Sequence, residues 1–156
     1  MLRTIILLAV ALAFSASALA DITGPARIID GDTIVIAGER IRLHGIDAPE
    51  NGQSCVADGV TWACGQRATA ALAGFIDGAP VSCRPHGEDR YGRTIATCTV
   101  RGEDIEAWLV RNGWALAYRR FSTDYLDEEA EARAAQAGLW RGAFVPPWEW
   151  RRGKRL

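Results

Sequence analysis

Apolar residues crowd Arg27-Ile28-Ile29, and an alternating pattern follows in Thr33-Ile34-Val35-Ile36 and again in Arg40-Ile41-Arg42-Leu43-His44. Ala37-Gly38-Glu39 supplies a turn between the last two runs, so the three together predict a meander of short strands. The period then changes. Ala68, Ala71, Leu72, Phe75 and Ile76 share one helical face, which predicts a helix from about Gly65 to Asp77 that stops at Gly78. Two more strands are predicted over Ala79 to Arg84 and Thr94 to Arg101, joined by a loop from Pro85 to Gly92.

Two helices follow. One runs from about Glu103 to Asn112, buries Ile105, Trp108 and Leu109, and ends at Gly113. The other starts near Ser122, carries its acids in the first turn where the helix dipole favours them, and stops at Gly138. Val145-Pro146-Pro147-Trp148-Glu149-Trp150 predicts an irregular tail that packs aromatics against the rest. Five strands with a helix between the third and fourth is the element order of an OB-fold, a Greek-key barrel, here with three helices in all. The first helix is expected across the barrel mouth or wall.

The ends bound this domain. Arg3, an apolar run from Thr4 to Phe14, and small residues up to Ala18-Leu19-Ala20 have the layout of a secretory signal peptide cleaved after Ala20. The apolar run is shorter than the roughly 20 residues needed to span a bilayer. The expected organisation is therefore a leader over 1–20, a barrel domain over 21–142 and an aromatic, basic tail over 143–156, with no membrane span in the mature chain. A secreted or periplasmic monomer is the expectation. Removing 20 residues from 156 leaves 136, enough for one domain and too few for two.

Charge adds a constraint. Without Arg3 the chain has 17 basic residues against 19 acids, a net of −2, whereas a nucleic-acid binder is expected to be basic. The basic residues are grouped, in Arg119-Arg120 and Arg151-Arg152-Gly153-Lys154-Arg155, so any attraction to phosphate is local. Lys154 is the single lysine, which leaves arginine to make the internal phosphate contacts. Four cysteines in an exported chain imply two disulfides with three possible pairings. Cys55 and Cys64 bracket a short loop, and Cys83 and Cys98 flank Arg90-Tyr91 as opposing hairpin positions would, so the expected pairs are Cys55 with Cys64 and Cys83 with Cys98.

The chemistry concentrates in three places: Asp30-Gly31-Asp32-Thr33, Arg42 through Asp47-Ala48-Pro49-Glu50, and Asp89-Arg90-Tyr91-Gly92-Arg93. Asp32 opens one strand and Asp47 follows the end of the next, so antiparallel pairing brings both to one end of the barrel. Two aspartates completed by a carbonyl and waters suit Ca²⁺ better than softer metals. Glu50, behind a rigid Ala48-Pro49, is placed to hold a water beside such an ion as a general base. Arg42 and Arg93 are guanidiniums that can each grip two phosphate oxygens while remaining protonated. Taken singly, each has a plain explanation as a turn or surface residue. Their joint occurrence is the signal.

The order Asp-Gly-Asp-Thr, Arg, Asp-x-Pro-Glu, Asp-Arg-Tyr-Gly-Arg and Leu-Val-Arg-x-Gly, running from about Ala26 to Trp140, resembles the staphylococcal nuclease (thermonuclease) family. The resemblance implies a Ca²⁺-dependent endonuclease that hydrolyses DNA and RNA, prefers single strands and leaves 3′-phosphate ends. It implies that Asp32 and Asp47 bind Ca²⁺ through carboxylates and Ala48 through its carbonyl, with Glu50 handling water and Arg42 and Arg93 holding phosphate. Arg90, Tyr91 and Tyr118 would line the nucleotide site. The chain departs from the family at Ala48, where threonine is frequent, in the cysteine-bearing stretch from Asn51 to Gly65, and at Glu106 and Trp108.

Three other readings compete. A noncatalytic nucleic-acid-binding barrel would lack the set Arg42, Glu50 and Arg93, which this chain keeps. A phosphatase using Asp30 as nucleophile needs alternating strands and helices after Ile28-Ile29-Asp30, where a meander is predicted. A metal-free ribonuclease would rely on His44 and His86, although a strand histidine such as His44 is expected in the barrel wall. Among the tryptophans, Trp62 is the expected base-stacking candidate, and Trp108, Trp114 and Trp140 are expected to fill core.

Overall fold

Residues 20–156 are described by the structure, a computed structural model, and the expected leader lies outside the described residues apart from Ala20. The meander forms as β1 (Ile22–Asp30), β2 (Thr33–Ile36) and β3 (Glu39–Leu43). Ala37 and Gly38 both take positive φ, 51° and 86°, the hairpin geometry that matches the right-handed twist of the strands they join. Then come β4 (Ile46–Asp47), the hairpin β5 (Cys55–Ala57) and β6 (Val60–Trp62), and α1 (Cys64–Ile76). The long hairpin β7 (Pro80–Glu88) and β8 (Thr94–Val100) leads through β9 (Glu103–Asp104) to α2 (Ile105–Arg111). The chain finishes with β10 (Leu116–Ala117), α3 (Leu126–Ala134), a 3₁₀ turn over Gly138–Arg141 and α4 (Pro147–Trp150).

Strands β3-β2-β1-β7-β8 are neighbours in that order, and β3 also pairs β8, which closes a five-stranded barrel. The closing pair is parallel, Ile41 against Thr94 and Arg42 against Ile95, and the other barrel pairs are antiparallel. This is the expected OB-fold. Period-two alternation sends Thr94, Ala96, Cys98 and Val100 of β8 inward, and Ile34, Ile36, Ile41, Leu43 and Val81 join them. Leu72 and Ile76 of α1 and Ile105, Leu109 and Val110 of α2 cap this core, each fully burying a side chain worth about 1.5–3 kcal/mol. Among the described residues no helix is long and apolar enough to cross a membrane.

Both expected disulfides are present, Cys55–Cys64 and Cys83–Cys98. Cys83 and Cys98 stand directly opposite in the β7–β8 ladder. Elsewhere the structure amends the sequence reading. Strand β7 runs past Arg84 to Glu88, because a register shift between Pro85 and Gly87 lets the ladder absorb two residues that ordinarily break strands. The cysteine-bearing stretch is a hairpin, turned by Asp58-Gly59 with φ of 52° and 75°. Helix α3 starts at Leu126 and not near Ser122, whose Oγ instead accepts the Asp124 N–H in a preceding turn. The tail contains α4, begun by Pro147 where a missing N–H costs nothing.

Candidate functional site

The turn between β1 and β2 is built by Asp30, whose Oδ1 accepts the Asp32 N–H at 3.1 Å. That is a turn-forming role with no helix after it, so the phosphatase reading has no architectural support. Asp32 is thereby aimed inward, 7% exposed. Its Oδ2 accepts the Ala48 N–H at 2.7 Å and its Oδ1 the Thr33 hydroxyl at 3.3 Å. Thr33 faces Arg42 across the β2–β3 ladder, and Arg42 forms an ion pair with Asp32 through Nη1. The same guanidinium donates through Nη2 to Asp47 Oδ1 at 2.9 Å and to the Ile46 carbonyl at 3.2 Å. Asp32, Arg42 and Asp47 therefore meet at one end of the barrel, as expected.

Asp47 is fully buried in β4, which pairs with β10 so that Leu116 stands opposite Asp47 and Ala117 opposite Ile46. Burial lowers the Arg42 pKa from its ordinary value and Arg93 pushes it the same way, while Asp47 opposes both. The parallel β3–β8 pairing, which sets Ile41 against Thr94 and Arg42 against Ile95, starts one residue after Arg93 and brings that residue to the end of the barrel where Arg42 lies.

Glu50 follows Ala48-Pro49 and is held by its backbone. Its N–H donates to Gln53 Oε1 and its carbonyl accepts the Gln53 N–H at 2.7 Å. Gln53 is itself buried and donates through Nε2 to the Val145 carbonyl at 2.6 Å. The Glu50 carboxylate is left partly open, with its side chain 35% exposed.

Arg93 is oriented by Asp89, which accepts from its Nε at 2.7 Å and from its backbone N–H at 3.0 Å. Burial alone would raise the Asp89 pKa, but the hydrogen bonds from Arg93 and Tyr91 hold it below the usual carboxylate range. Tyr91 is 68% exposed, with the Arg90 guanidinium over its ring at 4.7 Å and that of Arg93 at 5.6 Å. Arg90 and Tyr91 thus stand at the hairpin tip beside Arg93, open to a ligand.

Tyr118 continues from β10, its N–H bonded to the Gly45 carbonyl at 2.8 Å. Its ring stacks on Trp148 of α4, with centroids 5.2 Å apart and planes within 5°. Ala117, Tyr118, Arg119, Arg120, Trp148 and Arg152 line an open cleft of about 260 Å³. Arg119 is fixed by an ion pair to the buried Glu129, which also accepts the Ala117 N–H and pairs with Arg133. The cleft therefore starts within β10, at the residue after Leu116, which stands opposite Asp47.

One residue of the site escaped sequence reasoning. Arg151, directly after α4, donates to both carboxylate oxygens of Asp47 (3.0 and 2.8 Å) and to Glu50 Oε1 at 2.7 Å. These bonds raise its pKa against the lowering effect of burial. No local pattern identifies it, since its partners lie about a hundred residues away in the chain; the only signal was the basic run Arg151-Arg152.

Two sequence candidates are employed elsewhere. Trp62 packs edge-on against Trp114 at 6.4 Å and has the Arg141 guanidinium 4.2 Å over its ring, so a face of it is already stacked within the chain. His44 and His86 do meet, with ring centroids 4.7 Å apart, but their Nε2 atoms pair with Asp124 and Thr97 and not with the acids of the site. Burial, His44 and Arg84 together lower the His86 pKa.

Among the described residues no three His, Cys, Asp or Glu side chains form a ready metal cage. What converges is an all-oxygen pair, Asp32 and Asp47, bridged by the Arg42 guanidinium and therefore already arranged around positive charge. Donors of that kind fit a hard divalent ion that keeps several waters.

The sequence model of the staphylococcal nuclease homologue family matches residues 40–142, from Arg40 ahead of Arg42 to the end of the 3₁₀ turn. The chain belongs to the staphylococcal nuclease family. Membership makes it a hydrolase of the nuclease class, with nucleic acid as substrate. Among similar proteins, the "Succinoglycan biosynthesis protein ExoI" of Rhizobium meliloti is 39% identical, covering 89% of this chain and 76% of its own length. "Protein ParB" of Escherichia coli is 39% identical, covering 97% of this chain and 91% of its own. The "Micrococcal nuclease" of Shigella flexneri is 36% identical, covering 94% and 90%.

Proposed function

We propose that this staphylococcal nuclease family member is a Ca²⁺-dependent endonuclease that acts on DNA and RNA, prefers single strands and leaves 3′-phosphate ends. The observation that carries this reading is the convergence of Asp32, Asp47 and Glu50 with Arg42 at one end of the barrel. Asp32 and Asp47 would hold the ion by their carboxylates, with the Ala48 carbonyl beside them. When bound, the ion supplies positive charge to the phosphate oxygens and to the attacking water.

The chain's own groups do the rest. Glu50, half open and fixed by its backbone to Gln53, accepts the proton that water loses as its oxygen bonds to phosphorus. The bond from phosphorus to the 5′-oxygen breaks, that oxygen takes a proton from solvent, and the phosphate stays on the 3′ side. Arg93, aimed by Asp89, meets the nonbridging oxygens as charge builds there. Arg42, now paired with both aspartates, would offer a second guanidinium to the same oxygens. Arg90 and Tyr91 at the hairpin tip and Tyr118 beside the acids flank the nucleotide. The stacked Tyr118–Trp148 pair and the arginines around it form a track suited to an unpaired strand. Two disulfides and the leader-like start support export to the periplasm or beyond, with cleavage after Ala20.

The test is digestion of single-stranded DNA by the protein purified without residues 1–20, with Ca²⁺ or with chelator, beside Glu50→Gln. Cutting should need Ca²⁺ and fall by ~10² or more in the variant. Equal cutting in all three conditions overturns the mechanism. Chelator-resistant cutting of RNA alone, abolished by His44→Ala, would transfer the activity to the histidine pair.

A further inference from the structure

The carboxylate oxygens assigned to the ion are already committed within the chain. Asp47 Oδ1 accepts from Arg42 at 2.9 Å and from Arg151 at 3.0 Å, Asp47 Oδ2 accepts from Arg151 at 2.8 Å, and Glu50 Oε1 accepts from Arg151 at 2.7 Å. Arg42 sits on β3, locked in the barrel by both neighbouring strands. Arg151 is different: it is 39% exposed in its side chain and stands at the end of a four-residue helix.

That helix is anchored independently of the arginine. Trp148 stacks on Tyr118, Pro147 is buried, and the Arg151 N–H bonds to the Pro147 carbonyl at 3.0 Å. The backbone therefore keeps Arg151 beside the acids even when its guanidinium lets go of them. A divalent ion and the Arg151 guanidinium need the same Asp47 oxygens and cannot both have them. Two positive charges that close would also repel, and the partly exposed side chain has solvent into which to rotate.

We propose that Arg151 is the internal counter-ion of the active site, holding Asp47 and Glu50 in place until the divalent cation displaces it. The proposal rests on the assignment of Asp47 and Glu50 made above. Arg151 acts through those two acids and is a positioning residue: it keeps a fully buried carboxylate paired, and it sets the concentration at which the ion takes over. Two charge-assisted bonds to one carboxylate must be given up in the exchange, which is enough to weaken apparent metal affinity by a factor of ten or so.

The experiment is Ca²⁺ titration by isothermal calorimetry on the protein without residues 1–20, as wild type, Arg151→Gln, Arg151→Lys and Lys154→Gln. Arg151→Gln should bind Ca²⁺ about tenfold more tightly, and Arg151→Lys should fall between it and wild type because a lysine keeps the charge but not the fork. Lys154→Gln, which removes one charge from the same segment but pairs with Glu149, should bind like wild type. The lysine variant also keeps the proposal testable should the glutamine variant fail to fold. Equal or weaker Ca²⁺ binding by Arg151→Gln overturns the counter-ion role, and so does an effect confined to KM for DNA. If wild type meanwhile binds Ca²⁺ and cuts, the nuclease mechanism stands. Absence of Ca²⁺ binding by wild type overturns both.

Discussion

Gly65 lies so close to Glu50 that a Cβ built on it would stand 1.7 Å from the Glu50 carbonyl oxygen and 2.6 Å from its carbonyl carbon. The start of α1 cannot yield easily, because Cys64 beside it is tied to Cys55 and the Gly65 N–H is bonded to the Gln53 carbonyl. The strain of a side chain at Gly65 is therefore passed to the segment that carries Glu50. Gly65→Ala should lose about 1–3 kcal/mol of stability by overpacking. It should also lose roughly 10²-fold in cleavage rate through displacement of Glu50, if that carboxylate handles water as proposed. Denaturant melts and single-turnover cleavage of a short oligonucleotide measure the two; a wild-type rate in the variant would separate Glu50 from this contact.

Arg42 spans three acceptors, Asp32, Asp47 and the Ile46 carbonyl, with one planar group. A lysine is a single point charge on a flexible stem and cannot span them. Arg42→Lys is expected to cut the rate by ~10² or more and to lower the melting temperature. Arg93→Lys should cut the rate comparably with a smaller change in melting temperature, since among the described residues Arg93 forms an ion pair with Asp89 alone. Parallel thermal melts and kcat measurements on both variants decide this, and equal thermal losses would remove the distinction.

Glu106 is fully buried in the first turn of α2, where it accepts the N–H groups of His44 and Cys98. Burial foremost, and Asp104 next, raise its pKa well above the ordinary glutamate value. The native state then keeps a proton that the unfolded chain releases near pH ~4.3. Stability from this group is complete below that pH and is lost as pH rises through the native pKa. Glu106→Gln does not titrate, so its urea midpoint should fall less steeply than wild type between pH 4 and 8. Parallel pH profiles would place the titration elsewhere.

The cleft beside Tyr118 makes a claim about substrate length. Arg120 and Arg152 line it and take no part in the ion pairs of Arg119 and Arg151. Replacing both with glutamine should weaken binding of a long single strand to Glu50→Gln protein and leave a dinucleotide unaffected. The salt dependence should flatten by about 0.7 in the log–log slope for each lost phosphate contact. Trp148→Ala should weaken the same long ligand, by about 1–3 kcal/mol if a base stacks there. Fluorescence titrations over a range of salt concentrations measure both, and an unchanged slope would leave the cleft without a strand.

The barrel was legible because β8 buries every second residue and β3 does so over Ile41 to Leu43, so alternation in the sequence reports them directly. Cys83 and Cys98 were legible for a related reason, as symmetric positions about a hairpin tip. Pro85 and Gly87 concealed the far end of β7, because the bulge that accommodates them exists only once the partner strand is in place. Asp58-Gly59 did carry the signature of a tight hairpin, but the stretch around it lacks the apolar alternation that marks a strand. Arg42, Asp47 and Glu50 were found because short spacings tie them together. Arg151 was not, since nothing about an arginine in a basic tail foretells a carboxylate brought to it by the whole fold.

The parallel pairing of β3 with β8 joins segments some fifty residues apart, and it is this pairing that brings Arg93 to Arg42. Before the barrel closes, the acids and their paired arginine lie on one stretch of chain and the second arginine on another. If the proposed roles hold, a chain in which β3 and β8 have not yet paired has its two phosphate-gripping arginines apart, and cutting waits on that seam of the sheet.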